Sequence, residues 1–456
     1  MLVRPCHICL ASFALLTTCL SGQWAWTKNS PSFSPGPRAR FGFSYDVGRQ
    51  QTVLFGGQGQ AGLLKDTWEW DGTVWNKLAP VSVPTARAGH AMVYDPVAKR
   101  ILMFGGVTTA GIDAQTWDFD GISWRRLNPV QSPPARHDQV MVWDSVRQRV
   151  LLYGGQSGSR AFDDMWEWDG AVWSKRSPSA RPFPRLGTAL AFDSKRGRAV
   201  LFGGFNGADL ADTWEWDGSR WWQMNTLGTP VSRQSHVMTF DPVRGRVVLF
   251  GGTNRLGARF EDTWEWDGRR WIQDVLPLSP RGRINFGLLH DTARSRTFLY
   301  GGEGKGLLAD GWNGFGSKAA GYSLLGVGCK GSSGTPQLYC TKYPKLGQPF
   351  EFRVVGMTAA RSGVILAGLT DLLWKTVTLP LDLSPLGASA CHLFISIDAE
   401  LGFTADATGA TTFNVRLPND QTLLGLHFFN QAFVLSPGSN ALGLITSNAG
   451  RAFIGQ

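Results

Sequence analysis

The dipeptide Gly-Gly recurs at 56/57, 105/106, 154/155, 203/204, 251/252 and 301/302, with spacings of 49, 49, 49, 48 and 50 residues. An arginine precedes each first glycine by 18 residues: Arg38, Arg87, Arg136, Arg185, Arg233 and Arg283. Eight residues after each arginine stands an aspartate: Asp46, Asp95, Asp144, Asp193, Asp241 and Asp291. Each of the first five doublets is followed by a tryptophan-rich element, WEWDG at Trp68, Trp166, Trp214 and Trp264 and WDFDG at Trp117, and then by Trp75, Trp124, Trp173, Trp221 or Trp271. Six copies of one unit of this length require an architecture that stacks or circles one supersecondary element.

One period reads as four short strands, residues 89–94, 100–104, 116–119 and 123–127. Each is rich in β-branched, aromatic or aliphatic residues and bounded by turn residues. Asp-Gly joins the third to the fourth, a strong hairpin signal. No run carries a 3.6-residue apolar period of helical length. Six such periods, with the doublet closing the second strand and aromatics spaced behind it, resemble kelch repeats over residues 24–315. That resemblance implies an all-β, six-bladed β-propeller, with one four-stranded blade per repeat around a central channel.

The sixth period ends in a degenerate third strand, Trp312-Asn313-Gly314-Phe315, and lacks its closing tryptophan. Trp26 lies 12 residues before Arg38, the offset that separates Trp75, Trp124, Trp173, Trp221 and Trp271 from the arginines that follow them. Residues 24–29 are therefore expected to supply the outer strand of blade six, which removes an exposed sheet edge. The propeller is assigned residues 23–316.

From residue 317 to 456 the tryptophan motif stops, and apolar runs alternate with turn clusters such as Ser436-Pro437-Gly438-Ser439-Asn440. This pattern predicts a C-terminal β-sandwich. The stretches GCKGSSGTPQL, LPLDLSPLGASACHLFIS, LPNDQTLLGLHFFNQAFVL and LGLITSN resemble a C-terminal module of secreted planctomycete-type bacterial proteins. The resemblance implies a disulfide between Cys329 and Cys391 and leaves Cys340 outside the pattern. The propeller is expected to fold without residues 318–456.

Arg4, the apolar residues 8–20 and Ser21-Gly22 read as an export signal over residues 1–22. The apolar stretch is too short to span a membrane, and no later stretch reaches that length. The expected location is secreted, periplasmic or at the cell surface. Cys6, Cys9 and Cys19 lie in the signal, so Cys329, Cys340 and Cys391 remain, enough for one intramolecular pair at most. The net charge of +10 is diffuse: residues 23–317 carry 35 Lys+Arg against 28 Asp+Glu, and residues 318–456 carry 9 against 7. There is no basic run, and nucleic acid is not an expected partner.

The six repeat arginines begin the first strand of each blade, so they are expected to ring one mouth of the channel. Converging guanidiniums would suit a carboxylate, sulfate or uronic acid. The competing reading pairs each arginine with an acid of its own blade, for example Asp66, Asp164, Asp212, Asp262 or Asp310. His90 and His236 share one repeat position in blades two and five, which face each other, so both could meet one ligand. No acid or cysteine pattern completes a metal set around them, and no cofactor is expected. Galactose oxidase shares kelch-type blades, but its copper site uses a Tyr–Cys crosslink, and residues 23–316 contain no cysteine. The loops after Gly-Gly differ between repeats and are candidate ligand contacts. They carry Arg255, Arg259 and Glu303. Trp143, Trp222 and Trp312 break the repeat and are candidate exposed aromatics.

These residues favour a secreted binding protein that holds a glycan or a protein on the loop face. One alternative is an enzyme acting on an anionic sugar, by analogy with six-bladed kelch sialic-acid mutarotases, with Glu303 as acid and Arg255 or Arg259 holding a carboxylate. Another is an envelope scaffold.

Overall fold

A computed structural model describes residues 24–454, except 30, 32, 227, 277, 317–320, 326–327, 331–333, 343, 370–372, 375–376, 389–390, 421–422 and 424–426. The expected export signal lies outside the described residues. Strands dominate the described fold, with a 3-10 turn at Ser384–Leu386.

Each repeat folds into an antiparallel four-stranded sheet. In blade two the strands are Ala91–Asp95, Arg100–Phe104, Thr116–Phe119 and Trp124–Leu127. The innermost strands of the six sheets are Gly42–Asp46, Ala91–Asp95, Val140–Asp144, Ala189–Asp193, Val237–Asp241 and Gly287–Asp291. Each touches the next, and the last touches the first, so the sheets form a closed ring. Between every two neighbouring blades lies one apolar cluster. The second strands carry its aliphatic centre, as with Leu102 and Phe104 against Val150 and Leu152. Packing between layers, rather than within a blade, holds the ring.

The Gly-Gly doublet has a steric reason. Both glycines have positive φ, 62° and 100° at Gly56 and Gly57. A Cβ on Gly56 would lie 2.8 Å from the carbonyl oxygen of Arg87 in the next blade, and one on Gly57 would lie 2.8 Å from that of Ala39. Only glycine allows this backbone and this approach. The doublet of blade six stands in the same relation to blade one, where a Cβ on Gly301 would lie 3.1 Å from the Arg38 carbonyl oxygen.

Trp24–Asn29 pairs antiparallel with Leu307–Gly316 as the outer strand of the sixth sheet, with Trp26 opposite Gly314. Outer-strand indoles donate to a threonine of the preceding blade, as Trp124 does to Thr67, Trp173 to Thr116 and Trp271 to Thr213. Trp26 donates to Thr263 of blade five at 3.0 Å. The chain places Gly314 where the other blades carry Trp or Phe, and the Trp24 and Trp26 rings occupy the room it leaves.

Residues beyond 320 do not stand apart from the ring. Gly321–Leu325 pairs with the outer strand of blade five, Trp271–Val275, with Ile272 opposite Leu325. The sheet then continues through Leu444–Phe453, His427–Leu435, Ser362–Gly368 and Ala399–Thr404. A second sheet, Gln337–Lys342, Pro349–Val355 and Thr411–Arg416, shares one apolar cluster with it. Ile272 is fully buried in that cluster. Blade five thus uses residues beyond 320 to cover its edge, a contact that reading the two regions as separate units did not include. Cys329 and Cys391 form a disulfide, and Cys340 is free.

Candidate functional site

The six repeat arginines do not converge on a ligand. All are buried, between 0% and 3% exposed. Arg136 shows the arrangement: Nη1 donates to Asp164 Oδ1 at 2.5 Å and to the Gly154 carbonyl at 3.0 Å, and Nη2 donates to Asp164 Oδ2 at 2.9 Å. Arg38 binds Asp66 in this way, Arg185 binds Asp212, Arg233 binds Asp262 and Arg283 binds Asp310. Blade two differs, with Gln115 at the acid position, and Arg87 pairs with Asp113 at 3.0 Å. The same acids accept an indole N–H, from Trp68 to Asp66 and from Trp312 to Asp310 among others. Trp312 therefore keeps the repeat register and is 7% exposed, contrary to the expected exposed aromatic. Burial alone would raise the carboxyls of Asp66, Asp164, Asp212 and Asp310. The arginine and indole hydrogen bonds and the arginine charge outweigh it, and all four stay below the usual carboxylate range. The guanidinium forks are consumed within the blades and cannot receive a ligand anion.

His90 and His236 do not share a ligand either. Each ring is buried and packs edge-on against the preceding blade, 5.6 Å from Phe55 and 5.5 Å from Phe202. Burial first, then the charge of Arg87 or Arg233, pushes each imidazole down to about 3. At the same repeat position blades one and six carry Phe41 and Phe286, and Gln139 donates to the Phe104 carbonyl of the blade before it at 2.7 Å. The position faces a seam between blades, not the channel.

Two of the loop residues meet each other. Arg259 Nη2 lies 2.9 Å from Glu303 Oε1, a partly exposed bridge between blades five and six. The expected acid and the expected carboxylate clamp thus neutralise one another. Arg255 is exposed, and its backbone N–H donates to Asp209 Oδ2 at 2.7 Å. Trp222 is 42% exposed, but the Arg220 guanidinium lies 3.5 Å above its ring. Trp143 is half-buried between blades two and three. Among the described residues, no group of three His, Cys, Asp or Glu is placed to hold a metal ion.

The residue two positions after each repeat arginine forms the rim that sequence reasoning missed. These residues are Arg40, Gly89, Asp138, Gly187, Ser235 and Asn285, all with φ between 54° and 68°. Their backbones are linked from blade to blade: Arg40 N–H donates to the Asn285 carbonyl at 2.9 Å, Gly89 to Arg40 at 2.7 Å and Asp138 to Gly89 at 2.8 Å. Ser235 donates to Gly187 at 2.7 Å and Asn285 to Ser235 at 3.3 Å. This belt of backbone carries four side chains, those of Arg40, Asp138, Ser235 and Asn285. Over one side of it, Arg40 Nη2 reaches Asp138 Oδ2 at 2.7 Å, spanning blades one and three above Gly89. A Cβ on Gly89 would lie 2.8 Å from both partners. His137 Nδ1 sits 2.8 Å from Asp138 Oδ2 and 3.1 Å from Arg40 Nη2. One nitrogen can donate to the carboxylate or accept from the guanidinium, but cannot do both with one tautomer. Burial would raise the Asp138 carboxyl, yet the His137 hydrogen bond and the Arg40 charge hold it below its ordinary value. The rim beyond, Gly187, Ser235 and Asn285, carries no charge. The available signal was the variation itself, two residues after an arginine that all six repeats share.

No curated protein matches the chain. Residues 73–252, from the close of blade one to the doublet of blade five, match the family model described as KLHDC2/KLHL20/DRC7 Kelch-repeats domain. That match and the strand-only fold together make the ring a kelch-type β-propeller.

Proposed function

We propose that the mature chain is an exported binding protein whose channel rim and the loops beside it hold a protein partner. The carrying observation is the division of labour among its polar residues. Those that repeat are locked inside blades, while those that vary, Arg40, Asp138, His137, Ser235, Asn285 and the Arg259–Glu303 bridge, sit on one rigid face. A kelch-repeat segment agrees with protein binding in general. Residues 1–22 are read as the export signal, residues 23–316 as a six-bladed propeller and residues 317–456 as a β-sandwich that covers blade five. A glycan partner finds less support, because the exposed indole of Trp222 has its face covered by Arg220.

The test uses the full mature chain as bait on proteins of its own secreted or envelope fraction. The same capture is repeated with the Arg40→Ala/Asp138→Ala double variant and with Arg259→Glu. A partner retained by the native rim and lost from the variants, at unchanged melting temperature, supports the reading. A partner that binds all three equally rejects the rim as its site.

A further inference from the structure

The opposite face of the ring carries a second six-fold pattern with one member missing. Each turn between the first and second strands has an aspartate at its start and, three residues on, Arg49, Ala98, Arg147, Arg196, Arg244 or Arg294. In four blades the arginine binds the second oxygen of that aspartate. Arg49 Nε reaches Asp46 Oδ2 at 2.7 Å, Arg147 Nη1 reaches Asp144 Oδ2 at 2.7 Å, Arg196 Nε reaches Asp193 Oδ2 at 2.7 Å and Arg294 Nη1 reaches Asp291 Oδ2 at 3.0 Å. It then lies against the Asp-Gly turn of the next blade, where a Cβ on Gly121, Gly218, Gly268 or Gly72 would collide with it. Arg147 and Arg294 also donate to turn carbonyls there, those of Asp217 and Asp71.

Blade two has Ala98 at this position. A Cβ on Gly170, the corresponding glycine of blade three, would meet nothing within 4 Å. Between them lies a cavity of about 110 Å³ lined by Asp95, Ala98, Asp118, Arg125, Trp168 and Gly170, among others. It opens to solvent past Ala98, Arg125 and Gly170, all exposed. Asp95 is 4% exposed, and its Oδ1 accepts the N–H groups of Val97 and Ala98. Its Oδ2, the oxygen that binds arginine in four of the other turns, has no hydrogen bond or ion pair among the described residues. Asp118 is held from the outer side by Arg125 at 2.6 Å, and Arg100 lies 3.5 Å from Asp118 and 3.4 Å from Asp120. Among the lining groups Asp95 and Asp118 balance Arg100 and Arg125, so the unspent acceptor of the seat is Asp95 Oδ2. The volume approaches that of an engineered cavity of roughly 150 Å³ that takes benzene, so a planar guanidinium fits.

We propose that this cavity binds a guanidinium group supplied in trans, the arginine side chain of a protein or a free guanidino compound, in the place the other blades fill with their own arginine. The probes are N-acetyl-arginine methylamide, its lysine counterpart and the tripeptide Gly-Arg-Gly, titrated into the full mature chain and followed by calorimetry and ligand-observed NMR. The arginine probe is expected to bind saturably, at least tenfold more tightly than the lysine probe, because a guanidinium can reach Asp95 and Asp118 together, as Arg49 reaches Asp46 and Glu69 and Arg196 reaches Asp193 and Glu215. Ala98→Arg should abolish this binding at an unchanged or raised melting temperature. Ala98→Met fills the cavity without charge and should also abolish binding, so the test survives misfolding of the first variant. Tighter binding of the tripeptide points to a protein source, and equal binding to a free guanidino compound. No saturable binding in the tens of millimolar, equal lysine binding, or binding that persists in both filled variants overturns the proposal.

Discussion

At the scale of single residues, the structure separates charges that build the ring from charges left to act. Arg136 is fully buried and holds both oxygens of Asp164 and the Gly154 carbonyl. Arg136→Ala would leave a buried carboxylate without its partner, a loss of about 3–5 kcal/mol that urea unfolding would read. Little loss would mean that the arginine is not structural. The two seam histidines predict a pH effect. Their native imidazoles are pushed down to about 3, whereas an unfolded histidine titrates near ~6.5. Between those values the unfolded chain binds more protons, so stability is full above ~6.5 and falls as pH drops toward 3. His90→Phe/His236→Phe copies the residues of blades one and six, and should flatten the melting temperature between pH 6.5 and 4. An unchanged pH slope would refute the assignment. The identity of these residues was plain in the sequence, but their direction was not. A side chain at the start of an inner strand can face the channel, its own blade or a seam, and spacing does not distinguish these.

At the scale of elements, closure rests on two buried indoles. Trp24 and Trp26 are 1% and 3% exposed in the strand that completes the sixth sheet. Trp26→Ala should cost roughly 3–5 kcal/mol, and deletion of residues 24–29 more, with an unpaired edge left at Leu307–Gly316. A deletion variant that melts like the native chain would show that the ring closes otherwise. Blade five offers the complementary case. The residue after the outer-strand tryptophan is exposed at Asn76, Arg125, Ser174 and Trp222, but it is a buried isoleucine at Ile272. Truncation at residue 317 uncovers Ile272 and a sheet edge, so the ring should melt lower and aggregate on heating. Equal melting would restore the independence expected from sequence. An aliphatic residue in this series was a signal of the docking, and it does not name its partner. The disulfide was legible only through resemblance. Reduction should destabilise the C-terminal sheets by about 4 kcal/mol, given the 62-residue separation.

At the scale of the whole molecule, the propeller is a rigid frame with two unlike faces. The blade pattern, its doublets and its aromatics were readable because each is repeated and each repetition has one steric cause. The proposed sites lie where repetition fails, at the channel rim and at Ala98, and a lone sequence marks such breaks without saying which ones face solvent together. The backbone belt from Arg40 through Asn285 brings the rim positions into one surface. Hydrogen–deuterium exchange of the full mature chain, with and without a captured partner, tests this most directly. The account predicts slowed exchange on binding in peptides covering residues 38–42, 136–140, 233–237 and 253–260, with the turn face and outer strands unchanged. Protection confined to the outer strands or to residues 321–454, with the rim unaffected, would contradict it.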